Sequence, residues 1–130
     1  MKKTDDAGCP FCTLPEQGDI IDGNALAVAF YDKFPVTAYH TLIIPRRHVA
    51  DYFDLTEAEV GAVRELLHRQ RERLLRLDAT ISGFNVGVNV GADAGQSIFH
   101  VHVHLIPRRS GDTEEPRGGV RGVIPGKQKY

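Results

Sequence analysis

The chain has 130 residues, of which 42% are hydrophobic and 25% are charged, and its formal net charge is -1. A domain commonly has about 150 residues, so this composition predicts one soluble globular domain and disfavours a strongly basic protein that binds nucleic acid. Because charged residues or histidine interrupt every apolar run, none reaches the roughly 20 residues of a membrane span.

The residues before position 24 are predicted to be irregular, since glycine and proline recur throughout them. Residues 1–6 are charged and precede no apolar stretch, so we expect no signal peptide. Cys9 and Cys12 are too few for a disulfide scaffold, and we therefore expect a cytoplasmic protein. Their Cys-x-x-Cys spacing suits a redox pair or half of a zinc site, or is a coincidence, although no βαβ pattern surrounds it as in thioredoxin-like proteins.

Two strands are predicted in the first part of the chain. Ala25–Tyr31 is a continuous apolar run that ends at Asp32, which is typical of a buried strand. Thr41–Ile44 is apolar and rich in β-branched residues, and Pro45 ends it. Residues 32–38 between the two strands are predicted to form a loop.

A long helix is predicted from Thr56 to about Asp78. Thr56 and Glu59 have the spacing of a capping box, in which hydroxyl and carboxylate satisfy backbone N–H groups at the start of a helix. Apolar residues then recur at intervals of three to four, which predicts a buried stripe. The stripe consists of Val60, Val63, Leu66 or Leu67, Leu74 and Leu77.

Two more strands are predicted after the helix, Phe84–Val90 and Ile98–Ile106, both from their alternating apolar pattern. The order strand, strand, helix, strand, strand predicts an α+β fold with an antiparallel sheet and one long helix packed across it. Residues 108–130 are rich in glycine, proline and arginine, and we expect an extended arm with little regular structure.

Three histidines, His100, His102 and His104, lie two residues apart in the last predicted strand. Side chains alternate faces along a strand, so the three imidazoles are predicted to share one face. The opposite face is predicted to carry Phe99, Val101, Val103 and Leu105. Each imidazole that is removed from water needs a hydrogen-bond partner or a ligand, so the row indicates a functional site.

The histidine spacing alone leaves two interpretations open. Alternate histidines can ligate a metal ion, as in carbonic anhydrase-like sites. Alternatively, one neutral imidazole attacks an electrophile while its neighbours orient it and protonate the leaving group. The preceding residues, Gly95-Gln96-Ser97, offer backbone N–H groups, an amide and a hydroxyl, which are neutral donors suited to phosphate oxygens.

Residues 95–106, Gly-Gln-Ser-Ile-Phe-His-Val-His-Val-His-Leu-Ile, resemble the signature of the histidine-triad (HIT) superfamily. A second block of similarity comprises Asp32, His40 and residues 42–48, Leu-Ile-Ile-Pro-Arg-Arg-His. Each block combines several chemical features at fixed spacing, which makes the resemblance specific.

The resemblance covers about residues 9–109, and Asn85 and Asn89 fall in the Gly-Phe-Asn strand of the family. It implies a HIT-like fold and a single HIT domain over residues 1–130, with residues 110–130 as an extended C-terminal arm. Family members form homodimers across the helix and an adjoining strand, so the resemblance also implies a homodimer.

The resemblance implies that the middle histidine, His102, attacks the α-phosphorus of a nucleotide and forms a nucleotidyl-histidine intermediate, which water then hydrolyses. It also implies that a backbone carbonyl near His100 contacts His102 and fixes the tautomer of that ring. His104 is implied to lie near the α-phosphate and the bridging oxygen. Asp32 is implied at the ribose hydroxyls, and apolar residues around Phe30 at the base. The implied phosphate ligands are Asn89, Gln96 and Ser97.

Some HIT proteins, and the related galactose-1-phosphate uridylyltransferases, bind structural zinc through a cysteine pair and two histidines. By that pattern the tetrahedral zinc ligands here are Cys9, Cys12, His48 and His100. The zinc is expected to fasten the N-terminal segment to the catalytic strand and to take no part in the chemistry. His40 is then expected to support the triad, and His68 to be a histidine of the helix surface.

The implied function is hydrolysis of nucleoside 5′-phosphate derivatives, such as diadenosine tetraphosphate or nucleoside phosphoramidates, to a nucleoside monophosphate. Arg108 and Arg109 after Pro107 resemble the dinucleoside polyphosphate hydrolase branch more than the phosphoramidase branch. Three alternatives are a nucleotidyltransferase or phosphorylase using phosphate or a sugar phosphate, a non-catalytic nucleotide-binding regulator, and a catalytic metal on all three histidines. The expected partner is a small nucleotide, with no nucleic acid and no membrane.

Overall fold

The computed structural model describes residues 8–14 and 19–130. Within those residues, strands pair antiparallel in one sheet of order β1-β2-β3-β5-β4. The strands are β1 (Asp22–Gly23), β2 (Ala27–Tyr31), β3 (Thr41–Pro45), β4 (Ile81–Val88) and β5 (Val103–Arg109). A long helix, α1 (Glu57–Leu77), follows β3 and packs against β2 and β3. The predicted α+β fold with one helix across an antiparallel sheet is confirmed.

The start of α1 has the capping box that the sequence predicts. The Glu59 N–H donates to Thr56 Oγ1 at 3.0 Å, and the Thr56 N–H donates to Glu59 Oε1 at 2.9 Å. Arg47 adds two hydrogen bonds to the same carboxylate, of 2.8 and 2.9 Å. These bonds lower the pKa of Glu59 to about 2 although burial acts to raise it. The charged carboxylate therefore ties the residues after β3 to the first turn of the helix.

The predicted buried stripe of α1 is partly wrong. Val63, Leu66 and Leu74 are buried, whereas Val60 is 36% exposed and Leu77 is 51% exposed. Val60 lies about 120° around the helix from Leu66, because each residue turns the helix by about 100°. Leu77 shares the face of Leu66 but lies in the last turn. Two polar residues complete the buried face instead, Glu59 and Gln70.

The predicted bounds of the last two strands are also wrong. β4 starts at Ile81 rather than Phe84, and it ends at Val88. β5 starts at Val103, five residues later than predicted, and continues through Pro107, since a residue without an N–H is tolerated where no ladder bond is required. The segment before β5 leaves the sheet because the Val101 N–H donates to the carbonyl of Val49, at 2.7 Å. β1 was not predicted, because two residues carry no periodic signal.

The sheet has two buried faces. On the helix side, α1 covers a core that includes Ala27, Ala29 and Ile43. On the other side, which we call the site face, Phe11 and Leu14 of the N-terminal segment cover the residues Val28, Phe30, Leu42 and Ile44. The strand register joins one row across the site face: Phe30, Leu42, His104 and Gly87. No helix within the described residues combines the length and the apolar character that crossing a membrane requires.

Residues 110–130, which we call the arm, contain one short 3₁₀ turn, Gly119–Val123, and this turn contacts β4. The Gln128 side chain holds the arm together, because its Nε2 donates to the carbonyls of Glu115 and Arg117 at 3.0 and 3.2 Å. A Cβ atom at Gly118, whose φ is +88°, would lie 1.8 Å from the carbonyl oxygen of Gln128. Only glycine fits at that position of the arm.

Candidate active site

The three histidines run from the segment before β5 into the strand. His104 lies in β5, whereas His100 and His102 precede it, so the prediction of one strand holding all three is wrong. The segment nevertheless keeps the alternation: His100 is fully buried, and His102 and His104 are half-buried. The apolar residues Val101, Val103 and Leu105 are buried on the other side, but Phe99 is 41% exposed and does not join them.

His102 is oriented by the backbone of the triad itself. Its Nδ1 lies 2.9 Å from the carbonyl oxygen of His100. A carbonyl only accepts, so Nδ1 carries the proton and Nε2 holds a lone pair. The ring packs edge-on against Phe11, with 5.1 Å between ring centroids. The neutral form of the His102 ring therefore presents an unprotonated Nε2, which is the state that a nucleophile requires.

His104 is oriented through His40. The Val36 N–H donates to His40 Nδ1 at 3.0 Å, so the neutral His40 ring carries its proton on Nε2. That nitrogen lies 2.9 Å from His104 Nδ1 and donates to it. Neutral His104 is left with its own proton on Nε2. Asp32 Oδ2 lies 3.5 Å from His40 Nε2 and completes the chain of contacts.

Burial keeps His104 and His40 neutral. Burial, with smaller contributions from His102 and His40, lowers the pKa of His104 to about 4. The pKa of His40 is also lowered by burial, against the opposing charge of Asp32. Both rings are therefore uncharged near neutral pH, and His104 is available as an N–H donor.

His100 faces the two cysteines. Its Nε2 donates to the carbonyl of Pro45 at 2.8 Å, which leaves the lone pair on Nδ1, 3.6 Å from the Sγ atoms of both Cys9 and Cys12. His48 Nδ1 lies 3.1 Å from Cys12 Sγ. The four ligand atoms lie within 4.8 Å of one another. Two thiols and two imidazoles that can converge on one point are a donor set that suits tetrahedral zinc, and the Pro45 bond supplies the outer partner common at such histidines.

The ring nitrogens of the three neighbouring histidines therefore have three different roles. His100 directs a lone pair at the cysteines, His102 exposes a lone pair, and His104 exposes an N–H. One metal on all three rings would need three converging lone pairs, which this arrangement does not provide. A second group of potential ligands, Asp32, His40 and His104, also lies within 4.8 Å. The hydrogen bond between its two rings already uses the lone pair of His104 Nδ1.

An apolar cavity of about 580 Å³ lies on the site face, over β2 and β3. Phe11 and Phe30 form two of its walls, with ring centroids 5.4 Å apart, and Leu42 lies in its floor. Asp32 stands at its edge, where one carboxylate oxygen accepts the Phe34 N–H at 2.9 Å. We call this space the nucleoside cavity, because aromatic walls beside one carboxylate can hold a base and its ribose.

Phe11 was missed by the sequence analysis. It is 9% exposed and touches the rings of His102 and Phe30. The available signal was an aromatic residue between the two predicted metal ligands Cys9 and Cys12. A metal ion bound to both cysteines would also hold the Phe11 ring between them in the cavity wall.

The predicted phosphate ligands are placed differently from one another. Ser97 is exposed and Asn89 is half-buried. Gln96 is 5% exposed, and its Nε2 donates to the carbonyls of Ala50 and Ile98 at 2.7 and 3.1 Å. Its Oε1 accepts the Gly91 N–H at 2.9 Å. The Gln96 amide therefore holds the loop that carries Ser97, and the assignment of Gln96 as a phosphate ligand stays a prediction.

Comparison with known proteins shows where the chain is similar. The profile described as HIT domain matches residues 16–111. An uncharacterized HIT-like protein of Mycoplasma genitalium is 40% identical over 112 residues, 83% of this chain and 78% of that protein. An asymmetrical bis(5'-nucleosyl)-tetraphosphatase of Schizosaccharomyces pombe is 33% identical over 105 residues, 81% of this chain and 57% of that protein. An AP-4-A phosphorylase of Mycobacterium tuberculosis is 32% identical over 108 residues, 79% of this chain and 55% of that protein.

Solved structures of proteins described as HIT family members also superpose on this chain. A zinc-bound histidine triad family protein from Mycobacterium smegmatis superposes with a TM-score of 0.74 at 30% identity, covering 85% of this chain and 82% of the other. A HIT family protein from Bacillus anthracis superposes with a TM-score of 0.73 at 32% identity, covering 80% and 75%. The family profile ends at residue 111, so nearly all of the arm lies beyond it.

Proposed function

This chain belongs to the HIT domain family, whose relatives here include nucleotide-processing enzymes, and from that premise we propose that it hydrolyses nucleoside 5′-phosphate derivatives at the α-phosphate. One observation carries the proposal. Two neighbouring rings present opposite groups, a lone pair on His102 Nε2 and an N–H on His104 Nε2. A nucleophile beside a hydrogen-bond donor suits displacement at phosphorus, because the donor stabilises the charge that develops on the leaving group.

The proposed reaction has two steps. In the first, His102 Nε2 attacks the α-phosphorus, and the bond from phosphorus to the leaving group breaks. His104 Nε2 donates a hydrogen bond to the departing atom and keeps its proton, so a phosphate leaving group departs as the anion and an amine takes its proton from solvent. In the second, water attacks the same phosphorus and releases a proton to solvent, while the bond between phosphorus and His102 breaks. The products are a nucleoside monophosphate and the leaving group, and both rings end in their starting protonation states.

Substrate binding is proposed to follow the site face. The base enters the nucleoside cavity between Phe11 and Phe30, and Asp32 accepts hydrogen bonds from the ribose hydroxyls. Ser97 and Asn89 donate to the α-phosphate, and Gln96 positions the loop. Neutral donors stabilise the charge that develops on the transferring phosphoryl group. His100 contributes through its carbonyl, which orients His102.

Zinc is the proposed structural metal of the site formed by Cys9, Cys12, His48 and His100. The converging sulfur and nitrogen atoms support this, and the chain is similar to a protein described as zinc-bound. The cytoplasm is the proposed location, because a reducing compartment keeps both cysteines able to bind a metal. In this proposal the metal stiffens the segment that carries His102 and takes no part in the chemistry.

A homodimer is proposed as the assembly, with a second copy of this chain on β4 and α1. β4 is an edge strand, and an unpaired edge is available for pairing with another strand. Beside it, a shallow groove between α1 and β4 includes Leu67 and Phe84, and Val86 is 50% exposed. Sedimentation of the wild type should show a dimer, and Val86→Asp should shift it to a monomer. A monomeric wild type would contradict the assignment.

The product analysis tests the proposed reaction. Diadenosine tetraphosphate is incubated with the protein, with and without inorganic phosphate. Hydrolysis yields AMP and ATP in both cases, whereas a phosphorylase yields ADP and ATP only when phosphate is present. His102→Asn should abolish turnover. His68→Asn on α1 is the matched control, and sedimentation must show that it keeps the wild-type assembly, because His68 lines the groove of the proposed dimer. A wild type that binds AMP but cleaves no nucleotide would instead support the non-catalytic regulator.

A further inference from the structure

The loop between β2 and β3, residues 32–40, decides where neutral His104 carries its proton. The Val36 N–H donates to His40 Nδ1, and His40 Nε2 in turn donates to His104 Nδ1. The side chains around this amide bury little apolar surface, because Phe34 is 86% exposed and Val36 is 70% exposed. A segment with few buried apolar contacts is held mainly by its hydrogen bonds. The position of the Val36 amide therefore depends on hydrogen bonds made by its neighbours.

Thr37 makes two such hydrogen bonds. Its hydroxyl donates to the carbonyl of Pro107 at 2.7 Å, and its own carbonyl accepts the His40 N–H at 3.2 Å. The first bond ties the loop to β5, the strand that carries His104. The second closes the turn in which the Val36 amide meets the His40 ring. Thr37 therefore fixes the loop relative to both His40 and His104.

The carbonyl of Pro107 needs this donor. Pro107 is fully buried, and a buried backbone carbonyl is costly to leave without a hydrogen bond. Within the described residues, the pairing of β3 with β5 ends at Thr41 and Leu105, two residues before Pro107. The Thr37 hydroxyl donates where β3 no longer supplies a partner. A side chain of the loop thus extends the hydrogen bonding of the sheet.

Arg109 provides a second anchor for the same loop. Its Nη2 donates to the carbonyl of Ala38 at 3.1 Å and to Asp78 Oδ2 at 3.0 Å. Asp78 directly follows α1, so the end of the helix holds the guanidinium in place. Because Pro107 and Arg109 both belong to β5, the loop is attached at two points to the strand whose histidine it orients.

The loop also borders open space beside His104. Val36, Thr37 and His40 line a cavity of about 700 Å³ there, and the arm forms much of its remaining wall. A ligand in this cavity would lie against Thr37 itself. A role of Thr37 in orienting His104 therefore has to be separated from a direct contact with substrate. The tautomer of His104 in the protein without nucleotide separates the two, since no ligand is then present.

We propose that Thr37 is a positioning residue of the active site: its hydroxyl holds the loop so that the Val36 N–H stays on His40 and the proton of His104 stays on Nε2. The inference rests on the proposed function and adds a residue that acts through the two rings rather than on the substrate. In the other tautomer, His104 Nε2 would present a lone pair, which repels the negative charge that develops on the leaving group. Loss of the Thr37 hydroxyl is therefore expected to lower kcat rather than nucleotide affinity.

The test compares Thr37→Val, which removes the hydroxyl and keeps the shape, with Thr37→Ser, which keeps the hydroxyl. Thr37→Val should lower kcat for diadenosine tetraphosphate by about 3- to 10-fold, the range that one hydrogen bond contributes, with KM and the Kd for AMP unchanged. Nitrogen NMR of labelled histidine without nucleotide should show one His104 tautomer in the wild type and both tautomers in Thr37→Val. The His104 signals are assigned by their absence in His104→Gln. Thr37→Ser should match the wild type in every measurement.

An unchanged kcat in Thr37→Val would overturn the proposal. A lower kcat with a single His104 tautomer would also overturn it, because Thr37 would then act on the substrate. Equal losses in Thr37→Val and Thr37→Ser would do the same, because the hydroxyl would not be the group that matters. A wild type that cleaves no nucleotide would refute the proposed function, and the tautomers of the two variants would then decide the role of Thr37 by themselves. If circular dichroism shows that Thr37→Val fails to fold, Arg109→Gln, which removes the second anchor, replaces it with the same expected changes.

Discussion

The Nε2 atom of His40 lies 2.9 Å from the Nδ1 atom of His104, and the direction of this hydrogen bond is set by a backbone group four residues before His40. Because the Val36 N–H points at His40 Nδ1, only the opposite nitrogen of His40 carries a proton while the ring is neutral. The proton of His104 is therefore directed away from His40. One amide group in a loop thus selects which nitrogen of the catalytic ring is a donor.

Removing the hydrogen-bond donor of His40 should disturb the tautomer of His104 without changing the nucleoside cavity. We expect His40→Phe to lower kcat by about 10- to 100-fold with little change in the Kd for AMP, because His40 positions a hydrogen-bond donor whose complete loss costs about 100-fold or more. Nitrogen NMR of labelled histidine should show His104 distributed over both tautomers in the variant. An unchanged kcat with a single His104 tautomer would contradict the role of His40 in orienting His104.

His104 should stay neutral well below the usual titration range of histidine. Its pKa is lowered to about 4, mainly by burial. The unfolded chain, with a histidine pKa near ~6.5, therefore binds a proton at higher pH than the folded chain does. The contribution of neutral His104 to the free energy of unfolding is complete above the unfolded pKa of ~6.5. It is lost as the pH falls from there toward the folded pKa of about 4. Proton NMR should place the His104 midpoint near the lower value, and a midpoint near the usual ~6.5 would contradict this.

Removing the metal should weaken nucleotide binding, because Phe11 lies between two of the proposed ligands and forms a wall of the nucleoside cavity. We expect Cys12→Ser to lose bound zinc, to lower the melting temperature and to raise the Kd for AMP. Thr13→Ser, which keeps the hydroxyl that donates to the Pro10 carbonyl, is the control in the same segment. Elemental analysis, thermal unfolding and calorimetric titration with AMP measure the three effects. Full zinc content with unchanged AMP affinity in Cys12→Ser would refute the assignment.

The pair of Arg47 and Glu59 should stabilise the fold in a pH-dependent way. Arg47 is half-exposed, so we expect Arg47→Ala to cost about 1–2 kcal/mol, mainly by removing hydrogen bonds from the buried carboxylate. The pKa of Glu59 is lowered from 4.5 to about 2, so its contribution is present above the higher value and is lost as pH falls through the lower one. Urea unfolding at pH 7 measures the loss, with Arg76→Ala, at an exposed position of α1 outside the groove of the proposed dimer, as the control. Equal midpoints for both variants would contradict the expected loss.

Several features followed from local signals. The capping box of Thr56 and Glu59 was readable because both partners lie within one helical turn, and the strand β3 because its residues are buried on both faces. The start of β5 was not readable, since the alternating pattern continues through residues that leave the sheet to bond with Val49. Periodicity reports which side of the chain is buried and does not report which backbone partner it has.

Local sequence patterns were enough to predict the α+β fold, and the resemblance to a family identified the histidines and cysteines that the structure brings together. Three features depend on the fold: which nitrogen of each triad ring donates, the hold of the Gln96 amide on a loop, and the cavity that the arm covers beside His104. Each depends on partners distant in the chain, such as Pro45 for His100, which local spacing does not specify.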